Sequence, residues 1–333
     1  MKYLVYNVAA DGGGALSVLQ MYYEKYSNDA ENEYVFLIST PELKTTENIT
    51  VINKKWVKKS WLHRLFFEYI CVKKIIREHG IDEVISLQNI LLPNVNQTQT
   101  LLVQNAMPFT TVKFSILHDT KLWIYKHLIS KKIIKSIHQA DEVIVQTEWM
   151  ADEIKKIKKN NHTVKVEKPY YEIKIPESSA KEIINGCVFF YPASGESYKN
   201  HQVIVEAARG LVAQGSQFKV IFTLKGNENS FVERLFNEAQ KYRLPIQFAD
   251  KMSREQVFGY YSKTILIFPS LLETVGLPLM EAREVGTSII AADLPYAREV
   301  LTGYETKTFF VDPFDSEDLQ KTMNQLILNK KSG

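Results

Sequence analysis

The chain has 333 residues, is 45% hydrophobic and 24% charged, and carries a formal net charge of +3. That length implies about two domains with ample core in an ordinary soluble globular protein. Cys71 and Cys187 are the only cysteines, which excludes a disulfide framework and a cysteine-based metal site and fits a reducing cytoplasm. The charge is uneven: residues 51–168 hold 20 Lys or Arg against 11 Asp or Glu, a net of +9, and the remainder holds 21 against 27, a net of −6. A basic first domain favours an anionic surface or ligand.

The first run, Tyr3–Val8, is too short and too soon interrupted, by Asn7, to be a secretory signal, so it reads as a buried strand. Asp11-Gly-Gly-Gly-Ala15 joins it to a helix over Ala15–Tyr26. Without side chains, Gly12, Gly13 and Gly14 let backbone N–H groups approach a phosphate or a sugar, or simply make a strand-to-helix turn. The segment is neither a Gly-x-Gly-x-x-Gly fingerprint nor a Gly-Lys-Ser/Thr loop, so NAD and P-loop chemistry lack support. Further strands are expected at Tyr34–Ile38, Ile49–Ile52, Glu83–Ser86, Thr100–Gln104 and Glu142–Gln146, with helices at Trp61–His79, Lys121–Gln139 and Glu148–Lys158. Residues 84–112 carry no charge, but their amides and prolines exclude a spanning helix. Asn105, after the Thr100 strand, can give and accept hydrogen bonds but cannot titrate near neutrality.

Residues 171–184 read as a linker: Lys168-Pro breaks the pattern and a polar stretch follows. The alternation then restarts, with strands at Cys187–Tyr191, Lys219–Leu224, Ile246–Ala249, Thr264–Phe268, Ser288–Ala291 and Thr308–Val311. Helices at Asn200–Gln214, Phe231–Tyr242, Arg254–Ser262 and Ser316–Leu328 separate them. Lys199 precedes the first of these, with Asn200 as the expected N-cap, so its ammonium can neutralise a diphosphate near helix N-terminal amides; an exposed lysine is also an ordinary solvated charge. Lys225, after the next strand, can assist it. Glu273-Thr-Val-Gly-Leu-Pro-Leu-Met-Glu281 follows the Thr264 strand. Gly276 allows close backbone approach, and a helix starting near Pro278 is expected to hold Glu281 in its first turn. Helix-end amides suit a phosphate and the two carboxylates suit sugar hydroxyls, the grip expected for a nucleotide sugar. Read alone, the two glutamates are more simply solvated helix-end carboxylates, which the dipole favours in first turns.

The segment resembles the glutamate-x7-glutamate signature of the retaining glycosyltransferases of family 4, which have the two-domain GT-B fold. Tyr191-Pro-Ala-Ser-Gly-Glu-Ser-Tyr-Lys-Asn-His201, Phe268-Pro-Ser270, Gly286, Arg298-Glu-Val300 and Val311-Asp-Pro313 fall in the family's order, so the likeness covers residues 185–325. It is weaker over residues 1–170. The resemblance implies an α/β protein of two Rossmann-like doubly wound parallel-sheet domains facing a cleft. Residues 1–170 would be the acceptor domain and 185–333 the nucleotide-sugar domain, the last helix being a candidate to cross back to the first. It further implies a donor site of Gly12, Gly13, Gly14, Ser194, Lys199, Lys225, Thr274, Val275, Gly276, Leu277 and Glu281, with Glu273, Lys199 and Asn105 as the catalytic set.

Two positions depart from the family: Ala193 stands where an arginine is frequent, and Asn105 where a histidine is common. The expected reaction moves a hexose-type sugar from a UDP- or GDP-linked donor to a glycan, with a lipid-linked acceptor in surface-polysaccharide assembly. No metal and no cofactor are expected. The rivals are a non-catalytic sugar-nucleotide-binding partner and a GT-B nucleotide-sugar epimerase.

Lys54–Phe67 and Trp123–Lys135 mix basic and aromatic residues. Either the aromatics pack inward beneath solvated lysines, or the segments attach to anionic lipid at the inner face of the membrane. Single-stranded nucleic acid fits less well, and no nucleic-acid partner is expected.

Overall fold

A computed structural model of the chain describes residues 1–10, 12–157, 163–168 and 186–332. Asp11 and the expected linker at 171–184 lie outside the described residues. The chain divides into two units, Met1–Phe109 with Ile124–Tyr171, and Thr110–Trp123 with Glu172–Gly333. Cys71 falls in the first and Cys187 in the second, and both are free thiols.

In the first unit the strands are β1 (Lys2–Asn7), β2 (Glu33–Ile38), β3 (Ile49–Asn53), β4 (Glu83–Ser86), β5 (Thr98–Leu102), β6 (Glu142–Val145) and β7 (Thr163–Val166). They form one parallel sheet in the order β3-β2-β1-β4-β5-β6-β7. Side chains alternate across it. Val5, Phe36 and Ile38 meet Val18, Leu19 and Tyr22 of α1 (Gly13–Ser27) on one face. On the other, Leu4, Tyr6, Val35 and Leu37 meet Phe67, Val72, Ile75 and Ile76.

That second layer is a helix expected to run unbroken from Trp61 to His79. It is built instead as α2 (Trp61–Phe66), a π turn over Phe67–Cys71 and α3 (Val72–His79). The same insertion splits the next stretch into α4 (Thr120–Ile124), a π turn over Tyr125–Ile129 and α5 (Ser130–Gln139), before α6 (Glu148–Ile157). β5 ends two residues earlier than expected, so Gln104 and Asn105 sit in the following loop. β7 was not foreseen, because its Thr163-Val-Lys-Val166 carries too few apolar residues to read as a strand.

The second unit contains β8 (Val188–Tyr191), α7 (His201–Ala213), β9 (Lys219–Phe222), α8 (Ser230–Lys241), β10 (Ile246–Phe248), α9 (Arg254–Tyr261) and β11 (Ile265–Phe268). After these come α10 (Leu277–Val285), β12 (Ile289–Ala292), α11 (Pro295–Val300), β13 (Thr308–Val311) and α12 (Ser316–Ser332). The sheet is again parallel, ordered β10-β9-β8-β11-β12-β13. β8, β11 and β12 are buried throughout, as expected of parallel strands covered on both faces. α12 packs along α7, with the Ser216 hydroxyl 3.0 Å from Asn324 Oδ1.

The direction of winding reverses between β8 and β11. In doubly wound sheets ligands bind at that reversal, outside the carboxyl ends of the strands. Among the described residues, no helix is long and apolar enough to cross a membrane.

Candidate active site

Two loops leave the reversal point, residues 192–200 after β8 and 269–276 after β11. A ladder of hydrogen bonds ties them together. Leu271 N donates to Tyr198 O at 2.8 Å, the Tyr191 hydroxyl donates to Lys199 O at 2.7 Å, and the Tyr296 hydroxyl donates to Ser270 O at 2.7 Å. Asn200 takes the N-cap position of α7 but does not cap it. Its backbone is left-handed, at φ 60°, and its side chain turns back to give the carbonyls of Pro269 and Pro313 hydrogen bonds of 3.2 and 2.7 Å. The residue expected to start a helix therefore clamps three loops instead.

The clamp brings Lys199 to Glu273, whose Oε1 accepts from the ammonium at 2.5 Å, both side chains being 15% exposed. Burial opposes the Lys199 charge, yet the adjacent carboxylate and its hydrogen bond hold the ammonium above the ordinary lysine range. A cation and an anion thus share one shielded point at the mouth of the sheet.

Glu281 does not join them. It lies in the second turn of α10, which begins at Leu277 with Gly276 as N-cap, and not in the first turn as expected. From α9, Arg254 reaches Glu281 Oε1 at 3.3 Å and the Tyr261 hydroxyl reaches Oε2 at 3.3 Å. Burial pushes the Glu281 carboxyl up, and these two contacts recover only part of the shift. Arg254 escaped the sequence reading, although Ser253 and Gln256 form a capping box that marks its position in the first turn of α9.

Between the two glutamates, Thr274 and Leu277 are half-buried and Val275 is buried. Gly276 adopts φ 75°, which admits an L side chain only under strain. Gly195 is required for a different reason: a Cβ there would stand 2.4 Å from Val232 Cγ2 of α8. Ser194 beside it is exposed. Lys225 is exposed as well, with its ammonium 3.4 Å from Asp250 Oδ2. The backbone N–H groups of Lys225, Gly226 and Asn227 converge on the Glu228 carboxylate at 2.6–3.1 Å, a nest for an anion that the chain fills itself.

The remaining site candidates belong to the first unit. A Cβ at Gly12 or Gly14 would meet nothing within 4 Å. Packing therefore does not demand glycine at either position. Lys58, exposed in the basic segment, donates to Ala10 O at 2.8 Å, just before these glycines. Asn105 Oδ1 accepts from Met107 N at 2.9 Å, so part of its hydrogen-bonding capacity is spent locally.

Solved structures of similar fold span nearly the whole chain. Sucrose-phosphate synthase from Thermosynechococcus elongatus superimposes with a TM-score of 0.73 at 17% identity, over 98% of this chain and 90% of that one. The chain has the GT-B fold. A second GT-B neighbour, Anabaena HepE in complex with UDP and glucose, gives a TM-score of 0.71 at 16% identity over 99% and 91% of the two chains. WaaG, a glycosyltransferase involved in lipopolysaccharide biosynthesis, gives 0.67 at 13% identity over 97% and 90%. Residues 176–332 match the family model described as glycosyl transferases group 1. No curated protein matches the sequence. The family match over the C-terminal part and the GT-B fold over the whole chain together support a glycosyltransferase.

Proposed function

We propose that this chain is a retaining glycosyltransferase of family 4 that moves a hexose-type sugar from a nucleoside diphosphate donor to a glycan. The Lys199–Glu273 pair at the reversal point of the second sheet carries the reading. In the donor complex Lys199, helped by Ser194, Lys225 and the amides of Gly276 and Leu277, holds the diphosphate. Glu273, relieved of its lysine, accepts hydrogen bonds from the donor-sugar hydroxyls beside Thr274 and Val275. Glu281 takes the ribose hydroxyls. Gly12, Gly13, Gly14 and Asn105 belong to the part that meets the acceptor and the transferred sugar.

The bond between the anomeric carbon and the diphosphate oxygen breaks as the acceptor oxygen bonds to the same face. The acceptor proton passes to the departing phosphate oxygen. Charge develops on the diphosphate, where Lys199 and oriented amides stabilise it more than in the ground state. Neither a metal nor a cofactor is invoked.

A UDP-linked donor draws support from HepE, solved with UDP and with UDP-glucose, and GDP is the other candidate. A lipid-linked acceptor in surface-polysaccharide assembly draws support from the lipopolysaccharide role of WaaG. On this reading the enzyme works in the cytoplasm, at the inner face of the membrane. Ala193 and the locally engaged Asn105 favour one rival, a partner that binds sugar nucleotide without turnover.

Incubation with radiolabelled UDP- and GDP-sugars and extracted lipid-linked glycans decides between them. A new glycosidic bond with the donor's anomeric configuration is expected. Tight donor binding without product over all acceptors would assign the partner role, and inversion would remove the retaining mechanism.

A further inference from the structure

The stretch from α2 through the π turn is apolar on both sides, although only Phe67 of the π turn is buried and no residue of α2 is. The inner side, with Phe67 buried, packs on the first sheet. It is pinned there by Glu68, whose Oε1 accepts from Arg64 Nε and from the Tyr6 hydroxyl, both at 2.8 Å. The outer side is apolar too, and uncovered. Trp61 is 62% exposed, Leu62 76%, Phe66 53% and Ile70 59%. These residues stand at successive intervals of one, four and four, the spacing of a single outward helical face.

The face continues onto the neighbouring helix. Lys132 of α5 lies over the Trp61 ring, its ammonium 5.4 Å from the ring centre. Tyr125 and Leu128 of the π turn before α5 are also exposed. Lys131, Lys132 and Lys135 are exposed along α5, as are Lys55 and Lys59 ahead of α2. Neither Lys54–Phe67 nor Lys121–Ala140 contains an Asp or Glu.

We infer that this face docks the enzyme on an anionic lipid bilayer, with the aromatic and leucine side chains entering the headgroup boundary and the lysines contacting lipid phosphates. A helix that is apolar outside as well as inside needs a second apolar phase. Large exposed apolar patches of this kind mark interaction surfaces. Cationic margins select an anionic one, because juxtamembrane lysines are attracted to acidic headgroups. A second copy of the chain is disfavoured, since a two-fold contact would set lysine against lysine, and lysine is depleted in protein interfaces. The face is built from residues of the first unit, whereas Lys199, Glu273 and Glu281 belong to the second, so vesicle binding and nucleotide binding are tested by different substitutions.

Sedimentation of the full chain with lipid vesicles tests the inference. The parent chain is expected to pellet with vesicles containing phosphatidylglycerol and to stay in solution with phosphatidylcholine alone. Combining Trp61→Ser, Leu62→Ser and Phe66→Ser should lower the partition coefficient at least tenfold. Changing Lys131, Lys132 and Lys135 to Ala should lower it roughly fivefold per lysine near the surface and flatten its salt dependence. Circular dichroism and nucleotide calorimetry, unchanged in both variants, would show intact folding. Equal pelleting of parent and serine variant would overturn the inference. So would a parent dimer that the serine variant abolishes in analytical ultracentrifugation, which would reassign the face to a protein contact.

Discussion

Lys199 is buried as a cation, and Glu273 is the reason it can be. Removing one member of a buried ion pair leaves an uncompensated charge, at a cost of about 3 kcal/mol. Lys199→Met is therefore expected to lower the unfolding free energy by about that much, and Lys199→Met with Glu273→Gln to lose less than the sum of the single losses. Urea denaturation of the three variants measures the coupling, and strict additivity would mean the pair is not one unit in solution. His201, two residues on, is fully buried between Tyr191 and Phe222, with neither ring nitrogen partnered. Burial, aided by Lys199, pushes its pKa down to about 3. Between about pH 6.5 and 3 the unfolded chain binds a proton that the native chain refuses, so stability falls with falling pH, by up to about 1.4 kcal/mol per unit. His201→Phe keeps the ring contacts and should remove that part of the acid slope. Identical slopes in parent and variant would show that the imidazole is hydrated or partnered after all.

Among the elements, α10 is where the sequence was read best. The apolar Ile265–Phe268 strand, Gly276 and Pro278 fix its start to within one residue, because each has a local conformational cause. Gly276→Ala would force a side chain into a left-handed backbone and within 3.3 Å of Leu279 Cδ1. A loss of roughly 1 kcal/mol is expected, together with weaker donor binding, since the N-terminal amides of α10 would tilt. Thermal denaturation and calorimetry on one variant report both effects, and unchanged donor affinity would remove these amides from the site. What the sequence did not disclose has physical causes as well. Asn200 has the residue type of a cap, but its partners are carbonyls 69 and 113 residues away, and no local pattern shows such contacts. Arg254 meets Glu281 only because α9 lies beside α10. The π turns shift which residues face inward after Phe66 and after Ile124, which a 3.6-residue period cannot anticipate. The outward-turned Trp61 and Phe66 lie before the π turn and were hidden for another reason, since composition reports that a helix is apolar without saying which side is covered.

At the scale of the whole molecule, two parallel sheets with their apolar strand runs were legible almost throughout, because buried parallel strands write themselves as unbroken apolar segments. The charge asymmetry was legible too, and it now has a location in the lysines around α2 and α5. Donor binding to the native state should raise the melting temperature, with a stabilisation of about 2.7 kcal/mol at a hundred times Kd. In the proposed function Lys199 grips a diphosphate at the reversal point of the second sheet. Titration calorimetry of UDP and of uridine against the parent chain and Lys199→Ala tests it most directly. The variant is expected to lose far more affinity for UDP than for uridine; equal losses for both, or a parent chain that binds neither UDP nor, in a parallel titration, GDP, would rule that grip out.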